Sequence, residues 1–307
     1  MAATRNGIKD RTVDLAIRGL LAAMLFLPYR WRVPATGWIV AQVIAPIAGW
    51  RDRVRENLAY VRPDLGPAEV HRLTRAVPDN AGRSLIEIYS GDEFKDRVRQ
   101  TALQGPGAGA LSEAREAGRP VILVTAHFGN YDAPRAALFA QGYPLAALYR
   151  PMENEGFNEH YVRAISRIGE PLFPADRRGV LGFVNYLKAG NIVGILVDVH
   201  AARGADVTFF GQVAPTATSA AEWALKFDAV LLPIYGRRCE NGLDFEIVVD
   251  APIPHTTPEE MTQALNDSLE AMVRENMDQW FWIHRRWKPE RRRESPQRAR
   301  AAARTAP

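Results

Sequence analysis

With 307 residues, 47% of them hydrophobic, the chain can bury the core of one large α/β domain or two smaller ones, which excludes general disorder. A single cysteine, Cys239, excludes an intrachain disulfide framework and a cysteine-based zinc cluster, and fits a reducing compartment. The net charge of +4 is uneven: from His284 onward nine Arg or Lys face only Glu290 and Glu294, an excess of seven that leaves about −3 for the rest, so no global nucleic-acid surface is expected.

The first elements are apolar. Asp14 to Leu27 (DLAIRGLLAAMLFL) and Gly37 to Trp50 (GWIVAQVIAPIAGW) are each shorter than the ~20 residues of an ordinary spanning helix. Between them Tyr29, Arg30, Trp31 and Arg32 suit a lipid headgroup interface. Residues 1–50 therefore read as a membrane-associating segment, with hydrophobic core helices as the alternative. A charged helix follows over Arg51 to Tyr60. Gly66-Pro67 restarts a helix through Val77, and Pro78 to Tyr89 reads as a further helix on which Glu87 is a solvated or capping carboxylate, with a place near the site as the alternative. QGPGAGAL, Gln104 to Leu111, lacks both a leading strand and the G-x-G-x-x-G spacing and reads as a plain loop.

Val121 to Thr125 is then a short apolar strand. His127 comes at its end, Gly129 and Asn130 supply a turn, and Asp132 opens a helix. Tyr143 to Tyr149 is a strand ending at Arg150-Pro151. Gly156 to Ile168 is helical and carries Arg163 and Arg167 on one face. A short strand over Pro171 to Pro174 precedes a helix from Arg178 to Lys188, which Ala189-Gly190-Asn191 terminates. Ile192 to Val197 is a strand with Asp198 at its end. Thr216 to Phe227 is a helix, Ala229 to Tyr235 and Leu243 to Val249 are strands, and Pro258 to Met277 is the last long helix. The aromatic and basic run Trp280 to Lys288 closes the pattern, and residues 289–307 are expected to be a disordered basic tail. Strands alternating with helices predict an α/β fold: a mixed, mainly parallel central sheet flanked by helices, spanning residues 51–288 behind the N-terminal segment.

On one continuous helix, positions five apart lie roughly 140° from each other. His127 and Asp132 can therefore cooperate only across the turn that Gly129-Asn130 permits. A carboxylate that holds one imidazole nitrogen leaves the other free to take a proton from a hydroxyl. No G-x-S-x-G elbow is present, so a substrate hydroxyl would attack directly. The alternative is a core histidine beside a helix-initiating aspartate.

HFGNYD matches the H-x4-D/E signature of the glycerolipid and lysophospholipid acyltransferases. More closely, the chain resembles the lipid A biosynthesis lauroyl and myristoyl acyltransferases of Gram-negative bacteria. The shared, ordered pieces are AHFGNYD (126–132), YRP (149–151), Arg163 with Arg167-Ile168-Gly169, LVDVH (196–200), FFGQVAPTATS (209–219) and WFWIHRRWK (280–288). Tyr131-Asp132 replaces the family's usual Trp-Glu, and Val199-His200 follows Asp198 where the family usually has Gln. The resemblance implies an O-acyltransferase in which His127 is the general base and Asp132 its orienting acid. It implies an acyl carrier protein thioester as donor and co-substrate, with no cofactor or metal. The acceptor would be a hydroxyl of a lipid A precursor, at the cytoplasmic face of the inner membrane. Arg150, Arg163 and Arg167 would bind phosphate or the developing oxyanion. Asp198 would line the pocket or cap the strand, and Gly129 and Asn130 would shape the turn and offer N–H groups to the thioester oxygen. Transfer to another glycolipid or an amino-acid lipid stays open. So does a metal-dependent phosphoesterase built on the D-x-H of Asp198-Val199-His200, although no G-D-x-x-D block accompanies it.

Overall fold

In the computed structural model the described residues are 17–288 apart from Glu153; the expected tail at 289–307 and the start of the first apolar run lie outside them. The strands are β1 (Leu103–Gln104), β2 (Val121–Thr125), β3 (Leu145–Tyr149), β4 (Leu172–Pro174), β5 (Ile192–Leu196), β6 (Thr208–Phe209), β7 (Gln212–Val213), β8 (Val230–Arg238) and β9 (Phe245–Val249). Seven form one sheet in the order β1-β9-β8-β2-β5-β3-β4, and β6 and β7 form a separate small hairpin. Within the large sheet only the β8–β9 pair is antiparallel. The mixed, mainly parallel α/β sheet read from the sequence is therefore present.

All five side chains of β2 are buried, as a strand covered on both faces requires. β2 has β5 on one side and β8 on the other, with Thr125 in register with Leu196. Helix signals act as expected at several ends. Asp176 caps α8 (Arg177–Lys188) by accepting from Gly179 N at 2.8 Å, and Gly190 beyond that helix takes φ +84°. Thr257 and Glu260 form a capping box on α10 (Pro258–Glu275).

Two sequence expectations change. The stretch from Pro67 to Tyr89 is one helix, α3, which runs through Pro78. The Gln104–Leu111 stretch is more than a loop: β1 enters it, and α5 (Ala108–Glu116) begins inside it. Its glycines serve packing, since a Cβ on Gly107 would lie 2.0 Å from the Asp250 carbonyl oxygen.

The N-terminal segment has two faces. α1 (Tyr29–Ile39) continues into a π-helical turn at Val40–Ile44, and α2 (Trp50–Val61) follows after Gly49, which has φ +67°. Val33, Val40, Ala41 and Ala45 are buried. Gly37 and Gly82 let this segment lie close on α3, because a Cβ on either would meet Asp79 or Val40 at under 3 Å. Phe26, Trp31, Trp38, Val43 and Ile47 are exposed. Among the described residues no single helix is long and apolar enough to cross a membrane; the bent pair Tyr29–Ile47 and Trp50–Val61, with 84° between its arms, meets the length and composition requirements together.

Candidate active site

β2 and β5 are adjacent, parallel and in register, so the residues two positions past their ends emerge side by side at the C-terminal edge of the sheet. These are His127 and Asp198. Nδ1 of His127 lies 2.9 Å from Asp198 Oδ1, while the His127 backbone N–H donates to Oδ2 at 2.9 Å and Trp280 Nε1 donates to the same oxygen at 3.0 Å. Asp198 is completely buried. Burial alone would push its carboxyl up, but the charge and hydrogen bond of His127, with His284 adding to them, hold it well below the usual carboxylate range. An ionised Asp198 fixes the tautomer with the proton on Nδ1, which leaves the lone pair on Nε2.

The sequence reading gave the orienting role to Asp132, and here the structure differs. Asp132 opens α6 (Asp132–Ala140) and accepts from Arg135 Nε at 2.7 Å, not from His127. Arg135 also donates to the carbonyls of Gly169 and Ile165, at 3.0 and 3.1 Å, so this buried pair ties α6 to the end of α7 (Glu155–Ser166). The turn between His127 and Asp132 carries the aspartate away from the imidazole.

Gly129 and Asn130 shape that turn as expected. Gly129 has φ +53°, and a Cβ there would lie 1.9 Å from the Gly236 carbonyl oxygen. Their N–H groups, however, are not offered to a substrate oxygen. Gly129 N donates to Gln279 O at 2.9 Å and Asn130 N to Gly236 O at 3.0 Å. The Gly129 carbonyl accepts from Ser84 Oγ at 2.7 Å and Asn80 Nδ2 at 3.0 Å. Asn130 Nδ2 donates to Glu87 Oε2 at 2.8 Å, and Glu87 is in turn paired with Arg238, whose Nε reaches Asn80 Oδ1 at 2.8 Å. Glu87, expected to be solvated or capping, is completely buried. It belongs to a polar clamp under the turn that follows His127.

The three arginines singled out from the sequence are all exposed. Arg150 follows β3 and is exposed, Arg163 is exposed on α7, and Arg167 is exposed beyond its end, beside the Gly91 turn. None of the three is joined to His127 or Asp198 by a hydrogen bond among the described residues. An apolar cavity of about 270 Å³ opens at the imidazole instead; its lining includes His127, Gly129, Tyr131 and Phe281, with Val40, Ile44 and Trp50 from the N-terminal segment.

The profile of the family described as bacterial lipid A biosynthesis acyltransferase matches residues 8–289. The chain belongs to this family. It is 24% identical over 277 residues to a lipid A biosynthesis acyltransferase of Haemophilus influenzae, covering 86% of this chain and 83% of that one. It is 24% identical over 241 residues to the lipid A biosynthesis lauroyltransferase of Escherichia coli, covering 76% and 78% of the two chains. The phosphatidylinositol mannoside acyltransferase of Mycolicibacterium smegmatis is 21% identical over 252 residues, 78% of this chain and 80% of the relative. An acyltransferase family, a histidine with its proton fixed at Nδ1 and an apolar cavity at the same imidazole form a consistent set. The sequence reading named Glu87 only as a carboxylate of the helix and Trp280 only within the closing aromatic run, and it did not single out Arg238 or Arg135. Of these only Arg135 had a local signal, its i+3 spacing from Asp132.

Proposed function

We propose that the protein transfers a fatty acyl chain from an acyl carrier protein thioester to a hydroxyl of a lipid A precursor. The supporting observation is the His127–Asp198 pair at the mouth of an apolar cavity, in a chain of the lipid A biosynthesis acyltransferase family. The acyl chain lies in the cavity with its thioester carbon at the imidazole. Nε2 of His127 takes the proton as the acceptor hydroxyl oxygen forms a bond to that carbon. The C–S bond breaks, the electron pair leaves on sulfur, and the imidazolium returns the proton to the thiolate. Asp198 keeps the ring oriented and offsets its transient positive charge. No protein nucleophile is used, and Asp132 acts through Arg135 on the shape of the site.

The acceptor and product are lipids, so the reaction belongs at a bilayer surface, which we assign to the cytoplasmic face of the inner membrane, where the acyl carrier protein is available. The exposed side chains of Phe26, Trp31, Trp38, Val43 and Ile47 provide an apolar face for that contact, with Phe26 89% and Ile47 84% exposed. Val40 and Ile44, in the same segment, line the cavity, so a lipid seated at this face is next to the acyl site.

The test is incubation of purified protein with acyl-carrier-protein thioester and a tetra-acylated lipid A precursor, read by mass spectrometry. The expected product carries one additional ester-linked acyl chain and is absent with His127→Ala. Transfer to a phosphatidylinositol mannoside but not to the lipid A precursor would move the acceptor to another glycolipid. Absence of transfer to both would sink the reading.

A further inference from the structure

A second histidine stands at the catalytic imidazole, and the reaction as described leaves it without a task. The ring centres of His284 and His127 are 4.6 Å apart with the planes inclined at 75°, and His284 also meets Phe281 edge-on at 4.7 Å. The backbone that carries it is held on both sides. Asn57 Nδ2, from α2, donates to the carbonyls of Trp282 and His284 at 2.6 and 2.8 Å, and Arg286 Nη2 donates to Thr216 Oγ1 at 2.6 Å. Nε2 of His284 is buried and has no hydrogen-bond partner. Buried ring nitrogens are ordinarily paired, so an unpaired one beside a reactive group marks a place for a ligand atom.

We infer that His284 is a second hydroxyl-binding group of the active site, holding the acceptor oxygen of the glycolipid against Nε2 of His127. This rests on the acyl-transfer reading above. Two hydrogen bonds of roughly 2.8 Å span about 5.6 Å, so two rings with centres 4.6 Å apart can share one oxygen. The last torsion of a histidine is soft, which lets the ring turn its nitrogen toward an oxygen as the acceptor seats. Burial first, then the charges of His127, Arg286 and Arg53, bring its pKa down to about 4 against the pull of Asp198. At neutral pH it is therefore an uncharged donor and acceptor, and it does not oppose proton uptake by His127.

The experiment measures KM for donor and acceptor separately in wild type, His284→Phe, His284→Ala and His284→Gln. His284→Phe keeps the ring contacts and removes the nitrogen. It should raise the acceptor KM at least about tenfold and leave the donor KM within about twofold. His284→Ala should behave alike, and His284→Gln, which keeps an amide near the Nε2 position, should restore most of the acceptor affinity. Should His284→Ala not fold, the Phe and Gln pair decides. A normal acceptor KM in His284→Phe, or equal rises in the acceptor and donor KM, would overturn the role while wild-type transfer left the acyltransferase reading intact. Absence of transfer by the wild type would sink both.

Discussion

Two aspartates compete for the role of partner to His127, and they sit in unlike surroundings. Asp132 is five residues away in the chain and bonds to Arg135, within its own helix. Asp198 is 71 residues away and reaches the imidazole with one oxygen while the other accepts two N–H groups. The near residue stabilises a helix junction, and the remote one sets a tautomer. What decides between them is the sheet: β5 lies beside β2, so the end of one strand delivers the imidazole and the end of the next delivers the carboxylate that bonds to it.

The sharpest way to break this comparison is to neutralise each carboxylate in turn. Asp198→Asn leaves the shape but supplies the wrong hydrogen-bonding partner to Nδ1, and should lower kcat by about 10³–10⁴-fold, the size seen when a triad carboxylate is replaced. Asp132→Asn should reduce kcat far less and act mainly on the melting temperature, because it leaves Arg135 buried without its counter-charge. Equal kcat losses in both variants, with unchanged melting, would return the orienting role to Asp132.

The strand and helix pattern could be read from the sequence because the buried strands are unbroken apolar runs and the helices carry caps and stops. His127 and Asp198 were each recognisable as polar residues at strand ends. Their partnership was not, since it depends on strand order, a non-local property that no spacing encodes. For Glu87 the preferred solvated or capping role fails and the alternative, a place near the site, holds, for a related reason: Pro78 suggested a break, and nothing local shows that Arg238 arrives from β8 to pair with it. The apolar N-terminus could be read as apolar but not as two-faced, because burial of Val33 and Val40 depends on where α3 lies.

The clamp beneath the turn makes the next prediction. Glu87→Ala leaves the Arg238 guanidinium buried and unpaired, and removal of one partner of a buried ion pair costs about 3–5 kcal/mol. Urea denaturation should show a loss of that order. Glu87→Gln, which still accepts one hydrogen bond, should lose less. A stability change under about 1 kcal/mol in Glu87→Ala would mean that the pair does not anchor the turn.

Acid should discriminate between the site's groups by stability. Between pH 6.5 and about 4 the unfolded chain protonates residue 284 while folded His284 does not, so the unfolded state holds the extra proton and stability falls as pH drops through that window. His127, Asp198, Arg286 and Arg53 are the charges that act on it. A shift of this size corresponds to at most about 3 kcal/mol. The buried Asp198 adds the same sign lower down: its contribution is present above 3.8 and is lost as pH falls further. His284→Phe should flatten the first step and leave the second. A wild-type unfolding midpoint unchanged between pH 7 and 4.5 would contradict a neutral, buried His284.

The smallest effect belongs at the other end of the molecule, where the comparison is between two faces of one segment. Val33 and Val40 pack inward; Trp38 and Ile47 point out. Ile47→Glu and Trp38→Glu replace exposed surface, so stability should change by no more than about 0.5 kcal/mol. Sedimentation with anionic vesicles should fall severalfold in the double variant, because each change removes an apolar side chain and adds a charge of the repelled sign. Activity on an acceptor dispersed in detergent should be retained, since neither side chain lines the cavity at His127. Unchanged vesicle binding with normal folding would show that this apolar face is not where the protein meets lipid. The cavity walls at Val40 and Ile44 would then have to be reached from another direction.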